Sequence, residues 1–216
     1  MSSGDPATRK RILRAAWDLL ESADGTPITM GDVAERAGVS RQALYLHFAD
    51  RTDLIVEASR LWDATLRGSR QRRIDEAPTA RQGFKEAIRL QAWLKPRLQG
   101  VATALEVLRR SDPAADAAWK EREHARLTRC EELIQRLAEE GELAAGWDQA
   151  DAARCFWAAT SQRVWEDLVI DQRWSNHKYR AHLTTLLEAS LLRSRDPSCG
   201  ETVTPKSRRG AFKVRA

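Results

Sequence analysis

Apolar residues recur at intervals of three and four along almost the whole chain, the period of helices that each bury one face. From Thr8 to Ala23 the stripe is Ile12, Ala15, Ala16, Leu19 and Leu20, and Asp24-Gly25-Thr26-Pro27 makes the turn after it. Val33, Ala34 and Ala37 share a face of a second, short helix, and Leu44 and Phe48, four apart, share a face of a third. A long helix is expected from Asp50 through Leu54, Ile55, Ala58, Leu61, Trp62 and Leu66, with Arg67 to Arg73 fraying and Asp75 to Pro78 as a linker. Ala80 to Lys95 carries Phe84, Ala87, Ile88, Gln91 and Ala92, and Pro96, which has no N–H, should end or kink it before a helix from Arg97 to Arg110. Asp112-Pro113 opens a helix to about Glu140, stopped by Gly141, and two more are expected at about Asp148 to Ile170 and Ser175 to Arg193. No stretch alternates with period two for long enough to build a sheet, so the expected class is all-α.

Between Ile28 and Leu54 the polar positions add a second layer of information. Thr29 can cap the second helix, and Asp32, three positions on, can complete a capping box while its charge suits the positive end of the helix dipole. Gly38 supplies the left-handed residue that stops this helix, and Ser40 caps the next one after the turn Gly38-Val39-Ser40. Leu44 and Phe48 then point inward, whereas Arg41, Gln42 and Tyr45 point outward. Arginine can fork onto guanine or phosphate, and glutamine can bond adenine bidentately. Tyr45 and His47 can donate to phosphate oxygens, which fixes orientation without reading sequence. Helix, glycine turn and helix with this outward chemistry, at about residues 29–48, form a helix-turn-helix whose second helix enters the major groove. The inward residues alone would equally fit a three-helix packing unit; the outward residues and the cap-turn-cap order favour DNA.

Ala34, Ala37-Gly38-Val39-Ser40, Leu44-Tyr45, His47-Phe48 and Leu54 resemble the DNA-binding domain of the tetracycline-repressor (TetR) family of bacterial regulators. The resemblance covers about the first quarter of the chain. It implies DNA contacts from Thr29, Ser40, Arg41, Gln42, Ala43, Tyr45, His47 and Arg51, the last standing where the family usually has a phosphate-binding lysine. Gln42 replaces a commonly small residue and Leu46 a commonly polar one; Leu46 therefore either touches DNA less or adds packing. The implied organisation is a DNA-binding domain at 8–67, a connector helix, and a helical regulatory and dimerisation domain at 79–193; the stretch 196–216, with Pro197, Gly200, Pro205, Gly210 and a basic cluster but little to bury, is expected to be a disordered basic tail. The resemblance further implies a homodimer through the last two helices, about 148–193, a double-stranded operator near-palindromic in sequence, repression rather than activation, and a small-molecule effector with no cofactor.

The apolar surplus of those last two helices points the same way. Ala152, Phe156, Ala159, Val164, Trp165 and Leu168, followed by Leu183, Leu186, Leu187, Leu191 and Leu192, make stripes wide enough to need more cover than one small domain provides. The net charge of +5 adds little, because Lys206, Arg208, Arg209, Lys213 and Arg215 alone could supply it, and acidic residues offset the first sixty positions. Arg9 to Arg11 either touch the phosphate backbone or are solvated. The tail either adds salt-sensitive DNA affinity or has no role. Cys130, Cys155 and Cys199 form no C-x-x-C pair, which fits reduced cytosolic thiols or a redox sensor, and the resemblance implies that the compartment is a bacterial cytoplasm with the protein nucleoid-associated. No signal-peptide core or membrane-length apolar run is present.

Eight tryptophans in 216 residues, mostly after the DNA-binding unit, suggest an apolar effector pocket. Trp62, Trp93 and Trp119 are candidate walls, Arg97 and His124 candidate anchors, and an aromatic or cationic ligand is the chemistry they favour. An enzyme is not expected: there is no phosphate-cradling glycine loop and no G-x-S-x-G elbow, and His177 and His182, five apart, diverge on a helix. The rival reading is a helical small-molecule or protein-binding module without operator binding.

Overall fold

A computed structural model of the chain describes residues 5–22 and 27–194, apart from the side chains of residues 62–64, 66, 67 and 69. The segments 24–26 and 196–216 read above lie outside the described residues, as does the side chain of Trp62. The described elements are α1 (Pro6–Ser22), α2 (Met30–Ala37), α3 (Arg41–Tyr45), α4 (Arg51–Asp75), α5 (Ala80–Leu108), α6 (Pro113–Glu139), α7 (Gln149–Ala159), α8 (Gln162–Trp165), a π-helical segment (Glu166–Asp171) and α9 (Asn176–Leu191). Among the described residues the only β pairing is a lone antiparallel bridge between Leu143 and Leu192, so the chain is all-α. A first core forms where Ile12, Ala16 and Leu20 of α1 meet Val33, Leu44, Phe48, Leu54 and Ile55. A second lies among α5, α6, α7 and α9, where Phe84 and Phe156 pack at 5.2 Å between ring centroids.

Three expectations are corrected. Arg67 to Arg73 does not fray: α4 continues to Asp75 because its terminal carbonyls are capped from another helix. Arg136 of α6 donates to the carbonyls of Ile74, Asp75 and Ala77, and its neighbour Glu140 accepts from the backbone N–H of Ala80 at 2.6 Å. One arginine-carboxylate pair thus satisfies both the end of α4 and the start of α5.

Pro96 does not divide its helix either; α5 is a single helix of 29 residues. Proline deprives the carbonyl four residues earlier of its helical partner. That carbonyl, on Ala92, accepts instead from the Asn176 side-chain amide at 3.0 Å. The other end of the same amide accepts from the Trp165 indole N–H at 3.0 Å, which ties α5, α8 and α9 together at the proline.

The helix expected from Asp148 to Ile170 is broken at Thr160-Ser161. Thr160 is fully buried and its hydroxyl donates back to the Phe156 carbonyl at 2.7 Å, a bond that competes with helix continuation. Ser161 then caps a new helix by accepting from the Val164 N–H. Arg126 of α6 holds this corner, donating to the Trp157 carbonyl at 2.8 Å, pairing with Glu123 at 3.0 Å and lying over the Trp157 ring at 4.6 Å. Much of the apolar surplus of α9 is absorbed within the chain, since Leu183, Leu187, Leu191 and Leu192 are buried; Leu186 stays 53% and Ile170 47% exposed.

The two cores meet along α1, α4, α5 and α6. At Gly100 of α5 the approach is close: a Cβ built there would stand 1.7 Å from the backbone oxygen of Leu20 in α1. A chain of ion pairs crosses the same boundary, Arg9 to Glu57 at 2.9 Å, Glu57 to Arg60 at 3.1 Å and Arg60 to Glu121 of α6 at 2.7 Å. Hydrogen bonds from Arg9 first and Arg60 second hold the Glu57 carboxyl below its usual range, against the opposing effect of burial. These pairs are partly exposed, so each contributes only about 0–1 kcal/mol and serves mainly to set geometry.

Candidate nucleic-acid interface

The turn between α2 and α3 is built by the residues that the sequence marks for it. Thr29 accepts from the Asp32 N–H at 3.2 Å and the Asp32 carboxylate accepts from the Thr29 N–H at 2.8 Å, a complete capping box. Those hydrogen bonds hold the Asp32 carboxyl below its usual range. Gly38 stands at φ 63°, where a Cβ would cost energy, and its N–H returns to the carbonyls of α2. Ser40 accepts from the Ala43 N–H at 3.1 Å. Leu44 and Phe48 are buried and fix the rotation of α3 about its axis.

That rotation sends Arg41, Gln42 and Tyr45 outward on one face. Tyr45 is 53% exposed. Thr29 and Ser40 are exposed at the edge of the same surface, and Ala43 and His47 are half-buried beside it. Leu46 is 77% exposed, so of its two expected roles the packing one is ruled out. Arg51 opens α4, half-buried, and its Nε is buried without a hydrogen-bond partner. A cation at the first turn of a helix opposes the helix dipole, and an anion placed there would relieve both.

Two arginines of α1 are engaged within the fold. Arg9 pairs with Glu57 and covers the Phe48 ring at 4.9 Å, and Arg11 donates to the Ala37 carbonyl at the end of α2 at 3.0 Å. They brace the helix-turn-helix from behind.

One feature of the interface escapes sequence reading. The Arg41 guanidinium folds back over the first turn of α2, so that a Cβ at Gly31 would come within 2.3 Å of its Nη2, and its charge acts on Asp32. Gly31 thereby leaves room for a pre-positioned guanidinium. Gly31→Ala should not lower stability, because the displaced atom is the end of a flexible side chain and alanine favours helix. It should weaken operator binding by about tenfold through loss of that pre-positioning. Thermal melts and anisotropy titrations read the two effects separately; a lower melting temperature with unchanged DNA affinity would refute this role for Arg41.

The residues read as one effector pocket do not converge. Trp93 lies between Arg70 and Arg97, whose guanidinium carbons stand 3.5 and 4.1 Å from its ring centroid, in a cleft among α4, α5 and α9. Arg97 also donates to the Trp93 carbonyl at 2.9 Å, so it braces its own helix. Trp119 lines a separate cleft among α5, α6, α7 and α8, and His124 is exposed on α6 and lines neither. The spacing rule groups residues within one helix; it cannot tell which helices share a cleft. Trp157, Glu106 and Glu166, which the sequence did not single out, line the cleft with Trp119. The space at the centre of α4, α5, α6 and α7, beside Cys130 and Phe156, measures only about 30 Å³, roughly the room for one water.

Residues 12–58 match the family model for bacterial regulatory proteins of the tetR family. Over 56 residues the chain is 38% identical to the HTH-type transcriptional regulator AcrR of Shigella flexneri. That match covers 26% of this chain and spans about a quarter of the relative's length, 25%. The fold is similar over far more of the molecule. A transcriptional regulator from Saccharomonospora viridis solved in complex with choline superposes with a TM-score of 0.77 at 18% identity, covering 88% of this chain and all of that one. A TetR-family regulator from Rhodococcus sp. gives a TM-score of 0.68 at 21% identity, covering 85% of this chain and 98% of that one. No helix among the described residues is long and apolar enough to cross a membrane. The cap-turn-cap unit thus matches the tetR-family model over residues 12–58, and the helical body shares the fold of solved regulators over most of its length.

Proposed function

We propose that the chain is a bacterial transcriptional repressor that grips a near-palindromic operator as a homodimer and changes its grip when a small molecule binds the helical body. The observation that carries the reading is the outward face of α3, where Arg41, Gln42 and Tyr45 stand clear of the core on a rigidly capped turn. Arg41 and Gln42 suit base edges, with guanine and adenine as their respective partners. Tyr45, His47, Thr29 and Ser40 suit phosphate oxygens, and Ala43 lets the backbone of α3 approach the groove. Arg51 and the first turn of α4 together suit one more phosphate.

A twofold axis beside α9 is supported by Ile170 and Leu186, exposed alongside the small residues Ala181, Thr185 and Ala189, which allow helices to approach closely. Ligand response is supported by the choline bound in the Saccharomonospora viridis regulator and by the contacts that join the helical body to the DNA-binding unit at Gly100 and Arg60. An effector shifts operator affinity only as far as it prefers one of the two arrangements.

Sedimentation of the full chain, alone and with short duplexes selected by it, tests the reading. The expected species are a dimer and a complex of two chains per duplex, with affinity falling steeply between about 50 and 200 mM salt. A single chain that ignores duplex DNA at the lower salt would overturn it.

A further inference from the structure

We propose that the cleft among α5, α6, α7 and α8 binds a small organic cation of the substituted-ammonium class, held between Trp119, Trp157, Glu106 and Glu166. This rests on the ligand-responsive reading above and gives its effector a chemistry. The cleft encloses about 230 Å³, below the roughly 300–1,000 Å³ usual for drug-sized ligands, so the occupant is small. It is also the larger of the two clefts that hold a predicted tryptophan, the other being about 180 Å³.

The charges on its wall do not cancel. Ala102 and Glu106 come from α5, Trp119, Glu123 and Arg126 from α6, Trp157 from α7, and Glu166 from the π segment. Of the two guanidiniums present, Arg126 is committed to Glu123 at 3.0 Å and to the Trp157 carbonyl, and Arg163 to Asp167 at 2.9 Å. Among the described residues Glu106 pairs with Arg110, at 3.7 Å and on an exposed surface. Burial pushes the Glu166 carboxyl above its usual range and the Glu106 charge adds to that, while a hydrogen bond with Gln99 and the Arg163 charge oppose it. Two carboxylates thus line one aromatic-walled cleft, Glu106 at its exposed rim and Glu166 half-buried, and each raises the other's hold on a positive charge. A quaternary or tertiary ammonium placed there would meet both carboxylates and the indole faces not already covered by Arg126, 4.6 Å over Trp157, and Arg109, 5.1 Å over Trp119. A neutral ligand of the same shape would leave the repulsion in place, and an anion would worsen it.

The location suits a control site. Glu106 lies on α5 below Gly100, where that helix touches Leu20 of α1. Trp119 and Glu123 flank Glu121, the partner of Arg60 of α4. Drawing α5 and α6 toward a shared cation would therefore move two helices that carry the DNA-binding unit.

Benzyltrimethylammonium and its carbon isostere neopentylbenzene, titrated into the full-length protein by calorimetry and tryptophan fluorescence, test the site. The cation should bind at least about tenfold more tightly than the isostere. Glu166→Gln and Glu106→Gln should each weaken the cation about tenfold, with unchanged circular dichroism, and leave the isostere unaffected. Glu123 is left alone, since its loss would strand the buried Arg126. Equal binding of cation and isostere, no binding of the cation up to about 10 mM, or binding indifferent to both glutamine variants would overturn the proposal. Cation binding that follows these rules while operator affinity stays constant would sustain the site and overturn the ligand-response reading. Operator binding by a protein that ignores the cation would do the reverse.

Discussion

Tyr45→Ala is expected to leave the protein folded and to weaken operator binding by about 10- to 100-fold, the loss of roughly 1–3 kcal/mol of contact energy. Tyr45 is more than half exposed on α3, so its removal opens no cavity and should change stability by no more than about 0.5 kcal/mol. A dimer loses the contact twice, which places the effect toward the upper end of the range. Leu44→Ala, one position earlier, makes the contrast. Leu44 is fully buried at the centre of the three-helix unit, and its truncation should cost about 2–5 kcal/mol of stability. Both variants lose DNA affinity, but only the second should lower the melting temperature. Unchanged operator affinity in folded Tyr45→Ala would favour a helical module that does not use this surface on DNA.

The second large effect concerns Gly100→Ala. The added methyl would sit 1.7 Å from the Leu20 carbonyl oxygen and 2.6 Å from its carbon, and neither is a flexible group. Leu20 lies in the last turn of α1, so moving its backbone means moving the end of that helix away from α5. Overpacking of a rigid contact costs about 1–3 kcal/mol, and with so close an overlap the cost lies toward the upper end, so the gain of about 1 kcal/mol in helix propensity from alanine offsets only part of it. The expected outcome is a melting temperature lower by several degrees together with a weakened link between effector and operator. Gly68→Ala in α4, where a Cβ meets nothing within 4 Å, is the control and should be neutral or stabilising. A Gly100→Ala protein as stable and as responsive as the parent would show that α1 and α5 do not transmit through this contact.

The sequence disclosed the DNA-binding unit in detail because its information is local. Caps, a left-handed glycine and an inward pair four residues apart are all read within one or two turns, and Thr29, Asp32, Gly38, Ser40, Leu44 and Phe48 stand as read. The helical body was legible as helices but not as a set of junctions. Pro96 passes through α5 because Asn176, 84 residues away, answers the freed carbonyl of Ala92. The end of α4 persists because Arg136, about 60 residues on, caps it. The break at Thr160 depends on a buried hydroxyl whose environment Arg126 and Phe156 define. The cleft proposed for the effector was illegible for the same reason. Trp119 and Trp157 lie on different helices 38 positions apart, and only packing shows that they share a wall while Trp93 does not.

The most direct test of the central claim is selection of bound sequences from a random pool of duplexes by the full-length protein. Two half-sites related by a dyad, centred about one helical turn (10–10.5 base pairs) or a multiple of it apart, are the result predicted for two copies of α3 on one face of DNA. Arg41→Ala and Gln42→Ala should relax preference at symmetric positions in both halves. An enriched motif with no dyad, or no enrichment at all, would contradict the account.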